Sequence, residues 1–174
     1  MKRYGSPPLN LQADLAALVR ATQGLAVVRS GVARSSKPFP KSVDLEAALV
    51  PILQQMGFQH HVSFAHPHTG VGFEYDFWRP RDGVALEVMG YRADDEIYKD
   101  LLKFHVHEET TVGVVLVPRW KWVSGKRQER NYTETLKALA FADRSMAVRA
   151  LVAVAYDWSL GEDGGWCLDF NVAS

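Results

Sequence analysis

Residues 73–118, FEYDFWRPRDGVALEVMGYRADDEIYKDLLKFHVHEETTVGVVLVP, constrain the fold more than any other stretch of the chain. Phe73, Tyr75 and Phe77 alternate with Glu74 and Asp76, the period-2 pattern of a half-buried strand. Arg79-Pro80-Arg81-Asp82-Gly83 has the chemistry of a tight turn, with Pro fixing φ and Gly free to take a positive one. The returning strand places Val84, Leu86 and Val88 on one face and Ala85, Glu87 and Met89 on the other. A helix then starts near Asp94 or Asp95, with Ile97, Leu101, Leu102 and Phe104 toward the sheet. Val112–Val117 is a continuous β-branched run, as expected of a strand buried on both faces.

If Asp76 and Glu87 share a face of this hairpin, two carboxylates converge. Ionised carboxylates a few ångströms apart repel, so either one is protonated or a cation lies between them. Oxygen ligands alone suit Mg²⁺ or Mn²⁺. The plainer alternative is that Glu74, Asp76 and Glu87 line a solvated sheet face.

The order of these elements resembles the PD-(D/E)XK nuclease superfamily and, within it, the BglII/BamHI group of type II restriction endonucleases. The residues that carry the resemblance are Asp76, Glu87-Val88-Met89, the helical Tyr98–Phe104 segment and Val112–Pro118. It spans roughly residues 43–157. It implies an α/β fold with a mixed central sheet flanked by helices, and a metal held by Asp76, Glu87 and the backbone carbonyl of Val88. At the third position of the E-x-K motif, where the family has Lys, Gln or Glu, this chain has Met89. A thioether cannot donate a hydrogen bond or orient a water. Lys99 or Lys103, on the following helix, is the candidate substitute for the missing ammonium; an ion-pair ladder with Asp95 is the other reading.

The rest of the chain fits around this core. Formal charge is zero overall, but residues 1–41 carry seven Lys and Arg against the single acid Asp14. The sequence therefore divides into an N-terminal helix and basic arm, 1–42, and a core, 43–174. Residues 1–8 read as an irregular lead-in. Asn10 caps a first helix bearing Leu11, Leu15, Leu18 and Val19, which ends at Gly24. A second helix, 43–56, starts at Ser42 or Asp44 with Val43, Ala47, Val50 and Leu53 or Gln54 on one face. Pro51 would kink or divide it. Glu46 on that helix is a further acidic candidate, since the resembled nucleases sometimes place a carboxylate there.

Residues 58–65 form a strand. His60, His61, His66 and His68 lie in or beside it, and with no cysteine nearby zinc has little support. His105 and His107 point to different sides and do not form half of a metal site. After the apolar run, Arg119, Lys121, Lys126, Arg127 and Arg130 interleave with Trp120 and Trp122, a loop suited to DNA. Arg29, Arg34, Lys37 and Lys41 suit phosphate contacts from the arm. Asn131 caps a helix to about Phe141, Arg149–Tyr156 is a buried strand, and a short strand ends the chain. Cys167 is the single cysteine, and no 18-residue apolar run or signal-peptide pattern occurs. A cytoplasmic protein without a membrane span is the expectation.

With the resemblance, these readings imply hydrolysis of phosphodiester bonds in double-stranded DNA with Mg²⁺ or Mn²⁺, by a homodimer. The alternative is a catalytically silent DNA-binding or interaction protein on the same fold, with Met89 as the mark of lost chemistry.

Overall fold

The computed structural model describes residues 2–5, 9–29, 39–90, 96–123, 126–128, 130–143, 145–146 and 148–170, and the fold is α/β. The first half runs β1 (Lys2–Gly5), α1 (Leu9–Thr22), β2 (Ala26–Val27), α2 (Ser42–Gln55), β3 (Gln59–Ala65), β4 (Gly72–Arg79) and β5 (Val84–Val88). The second runs α3 (Glu96–Val106), β6 (Val112–Pro118), β7 (Lys121–Val123), β8 (Lys126–Gln128), α4 (Arg130–Ala142), β9 (Ala150–Leu160) and β10 (Trp166–Asp169). Among these residues, no helix is long and apolar enough to cross a membrane.

The apolar run is the middle of the sheet. β6 is buried at every position and pairs in parallel with β5 and β9. The eight-stranded sheet has the order β2-β10-β9-β6-β5-β4-β3, with β1 antiparallel on β9. The β3–β4, β4–β5 and β9–β10 pairs are antiparallel, so the sheet is mixed as expected. On one face, Leu11, Leu15 and Leu18 of α1 and Leu45, Leu49 and Leu53 of α2 cover Leu86, Val114 and Val152. On the other, Ile97, Leu101 and Phe104 of α3 and Leu139 of α4 cover Ala85, Val115 and Leu151. Each fully buried Leu, Ile or Phe contributes roughly 1.5–3 kcal/mol of hydrophobic stabilisation. Phe104 packs against Gly113, where any Cβ would collide with its ring.

The β4–β5 turn is fixed from both ends. Gly83 takes φ 65°, and its carbonyl accepts from the amides of Thr111 and Val112. Arg79, with no exposed surface, donates to Asp82 through Nε and Nη2 at 2.8 Å and to Asp14 of α1 at 2.6 Å. This ties α1 to the hairpin.

Several expectations need correction. Residues 2–5 are a strand, made by backbone pairing to β9 rather than by any side-chain pattern. Asn10 and Asn131 sit inside their helices instead of capping them. α2 is one helix through Pro51 and not two pieces, opened by the Asp44 carboxylate accepting the Lys41 amide at 2.7 Å. Its buried stripe is Leu45, Leu49 and Leu53, while Val43 is exposed. Leu102 is exposed too, because the buried face of α3 is made by Ile97, Asp100, Leu101 and Phe104. Lys121–Val123 and Lys126–Gln128 pair as two antiparallel strands instead of belonging to a loop.

Tyr75 and Phe77 do not share a face. Phe77 packs with the α1–α2 layer and Tyr75 with the α3–α4 layer. The registers His60↔Phe77 and Val62↔Tyr75 hold on either side of His61, which has φ 52°. A left-handed residue within a strand turns the neighbouring side chains over, and here it breaks the alternation of both strands at His61 and Asp76.

Candidate active site

The β4–β5 ladder runs Arg79↔Val84, Trp78↔Ala85 and Phe77↔Leu86, and stops there. Beyond that point the Asp76 side chain takes the place of a strand partner. Its Oδ2 accepts the Val88 amide at 2.6 Å. Glu87 projects from β5 toward α3, where Lys103 donates to its Oε2 at 2.8 Å. One helical turn back, Asp100 lies 3.2 Å from the same ammonium. Asp100 and Lys103 share a face because residues three apart on a helix are neighbours.

These groups line a cavity of about 340 Å³, together with Glu46, His61, Met89 and Lys99. Among its lining residues are five acids (Glu46, Asp76, Glu87, Glu96 and Asp100) and two lysines, so it is strongly acidic. Glu87 is 2% exposed, and its Oε1 is buried without a hydrogen-bond partner. Burial, then the nearby Asp100 and Asp76 charges, push the Glu87 carboxyl well above the usual carboxylate range. Burial likewise raises Asp100, to about 6, against the opposing pull of Lys103. Burial alone would lower the Lys103 ammonium, but Glu87 and Asp100 outweigh it and raise it above its ordinary value. Three carboxylates therefore face one fixed cation.

Glu46, Asp76, Glu87, Val88, Met89, Lys99 and Lys103, identified separately in the sequence, all border this one cavity. Met89 is 9% exposed and packs in the α3–α4 layer. Its amide donates to the Leu116 carbonyl at 2.8 Å, and its carbonyl accepts the Tyr156 hydroxyl at 2.7 Å. Lys103, not Met89, brings an ammonium to Glu87. Sequence reasoning missed Asp100, although its position three residues before Lys103 was a usable signal. His61 was also missed as part of this wall.

At the rim, His61 Nδ1 is 2.8 Å from Glu74 Oε1, and its Nε2 is 4.0 Å from Glu46 Oε2. The hydrogen bond from His61 holds Glu74 below its ordinary value. Burial and the adjacent His61 lower His60.

The basic candidates are spread differently. β5 and β6 are parallel, so the β7–β8 hairpin that follows β6 leaves the sheet at the same end as the cavity. Lys126 is exposed on it, and Lys121 and Arg127 are placed by backbone alone. Arg119 lies over the Trp120 ring, 5.1 Å from its centroid, and Trp120 Nε1 donates to Asp157 at 2.8 Å. Arg34, Lys37 and Asp95 lie outside the described residues.

No curated protein matches the sequence significantly. A family model matches residues 13–156, a span that runs from α1 into β9 and takes in the whole cavity. By that match the chain belongs to the family described as "Putative halobacteria restriction endonuclease", and its mixed sheet flanked by helices is consistent with a restriction-endonuclease-like fold.

Proposed function

We propose that the chain is a divalent-metal-dependent endonuclease that hydrolyses phosphodiester bonds in double-stranded DNA. The observation that carries this reading is the buried, unpartnered Oε1 of Glu87 in a cavity it shares with Asp76 and Asp100. A buried carboxylate oxygen without a donor is costly, and a cation would satisfy it. The three carboxylates less the Lys103 ammonium leave a formal charge of about −2, which suits one divalent ion. The all-oxygen donor set fits Mg²⁺ or Mn²⁺, which Asp76, Glu87 and the Val88 carbonyl would hold. When bound, such an ion lowers the pKa of a water and neutralises charge on the phosphate.

The chain's own residues supply the rest. Lys103 would supply the positive charge needed beside the scissile phosphate, a role closed to Met89. Because its neighbours raise its pKa, it stays protonated at neutral pH and acts as a fixed charge rather than a proton donor. Asp100 and Glu87 together hold its ammonium in place. Phosphate contacts along the duplex fall to the β7–β8 hairpin and the basic arm, and a homodimer would present two such sites.

The test is conversion of supercoiled plasmid to nicked or linear forms with Mg²⁺ or Mn²⁺. Cleavage should vanish with EDTA and in Glu87→Gln, and fall by about 10²-fold or more in Lys103→Ala. If the wild type binds duplex DNA yet leaves it intact with both metals, the enzyme reading fails and the silent DNA-binding alternative replaces it.

A further inference from the structure

We propose that Glu46, His60 and His61 form a second cation site, beside the oxygen cluster and selective for a borderline divalent metal of the Zn²⁺, Co²⁺ or Ni²⁺ class. Each of the three residues offers a ligand atom, and these atoms lie within 4.8 Å of one another. Two imidazoles and a carboxylate favour such metals over Mg²⁺, which prefers oxygen throughout. The site does not depend on the nuclease reading.

The backbone is the first argument. Consecutive strand residues send their side chains to opposite faces. His60 and His61 do not, and their ring centroids are 3.9 Å apart. The cause is the φ of 52° at His61, among the described residues the one non-glycine with positive φ. A left-handed non-glycine residue is strained, and such strain gathers where a ligand uses the geometry.

Orientation is the second. Glu74 Oε1 holds His61 Nδ1 at 2.8 Å, and Ser63 Oγ donates to the other Glu74 oxygen at 3.3 Å. With its proton on Nδ1, His61 turns an Nε2 lone pair toward Glu46, 4.0 Å away. A carboxylate behind a histidine is the arrangement that fixes the tautomer of a metal ligand. His60 Nε2, in addition, is buried without a hydrogen-bond partner. An imidazolium at His61, paired with Glu46 and Glu74, would account for His61 alone and leave that nitrogen unsatisfied. Glu46 and His61 both border the acidic cavity, so a cation here adds positive charge to its wall.

Co²⁺ titration of the full chain, followed by visible absorption, tests the site. One equivalent should bind with a Kd of about 10 μM or tighter, give nitrogen-ligand d–d bands, and resist excess Mg²⁺. Asp100→Asn, a change within the oxygen cluster, should leave those bands unchanged. His60→Ala should abolish them, and Glu74→Gln should weaken binding by about tenfold. His61→Asn, compatible with a positive φ, should also abolish them while leaving the circular dichroism spectrum intact. Zn²⁺-induced shifts of both imidazoles in the ¹⁵N spectrum of the wild type read the same site without any substitution. Absence of Co²⁺ bands, their persistence in His60→Ala, or displacement by Mg²⁺ would overturn the proposal.

Discussion

Asp100→Asn should make the metal-free protein more stable at neutral pH, although it removes a group from the proposed site. Asp100 is 9% exposed, and burial raises its carboxyl from 3.8 to about 6. That difference corresponds to on the order of 3 kcal/mol of destabilisation once the group is ionised in the folded state. The folded-state pKa lies above the unfolded one, so the folded protein binds the proton more tightly. The penalty is absent below about pH 4, grows between about pH 4 and 6, and is complete above that. Asparagine removes it and also relieves Glu87, whose carboxyl Asp100 helps to raise. Lys103 keeps its 2.8 Å bond to Glu87, and an Asn amide oxygen can still accept from it. Allowing for that partial loss, a net gain of about 1–3 kcal/mol remains, or roughly 2–10 °C in Tm for a chain of this size. Thermal melts in EDTA at pH 7.5 and pH 4.5 measure it, and the gain should shrink toward zero at the lower pH. A lower Tm at pH 7.5, or an equal shift at both values, would refute the argument that repulsion and burial dominate this site. Mn²⁺ should raise the Tm of the wild type more than that of Asp100→Asn.

Two further outcomes follow from other parts of the molecule. Replacing Lys121, Lys126 and Arg127 together with Ala should weaken duplex binding on all sequences and flatten the log–log salt slope by about 2–3, measured by fluorescence anisotropy; an unchanged slope would move the DNA surface elsewhere. Gly113→Ala should drive a methyl group into the Phe104 ring and cost about 1–3 kcal/mol, and a melt showing no loss would contradict the packing there.

The parts of the fold legible in the sequence are those where burial sets the pattern. β6 is enclosed by α3–α4 on one face and α1–α2 on the other, so its residues form an unbroken apolar run. β5 divides cleanly, with Leu86 and Val88 in one layer and Ala85 and Met89 in the other. The short edge strands were illegible. β1 and β2 exist through backbone pairing with β9 and β10, and pairing leaves no mark on composition. Arg79 misled for a different reason. In sequence it belongs to a turn, but Asp14, sixty-five residues away, and Asp82 engage all three of its nitrogens inside the protein. Only tertiary structure can reveal a partner at that separation.

The candidate site was legible as a set of residue types but not as a geometry. Asp76 and Glu87 stood out because acids on a hairpin with apolar neighbours demand an explanation. What joins them is the irregularity at His61, and no glycine announces it. β3 and β4 keep their pairing on both sides of that point while their side chains exchange faces across it. Asp76 lies at the crossover, just beyond the last β4–β5 pair, and its carboxylate holds the Val88 amide. The left-handed residue, the crowded carboxylates and the unsatisfied oxygen of Glu87 all fall around one point of the sheet. Each is unfavourable by itself, and the two apolar layers around β6 supply the stability that keeps them in place. A fold optimised only for stability would relax all three, starting with Asp100. The apo form should therefore gain stability from substitutions at this point, whereas substitutions into the layers, such as Gly113→Ala, should cost it.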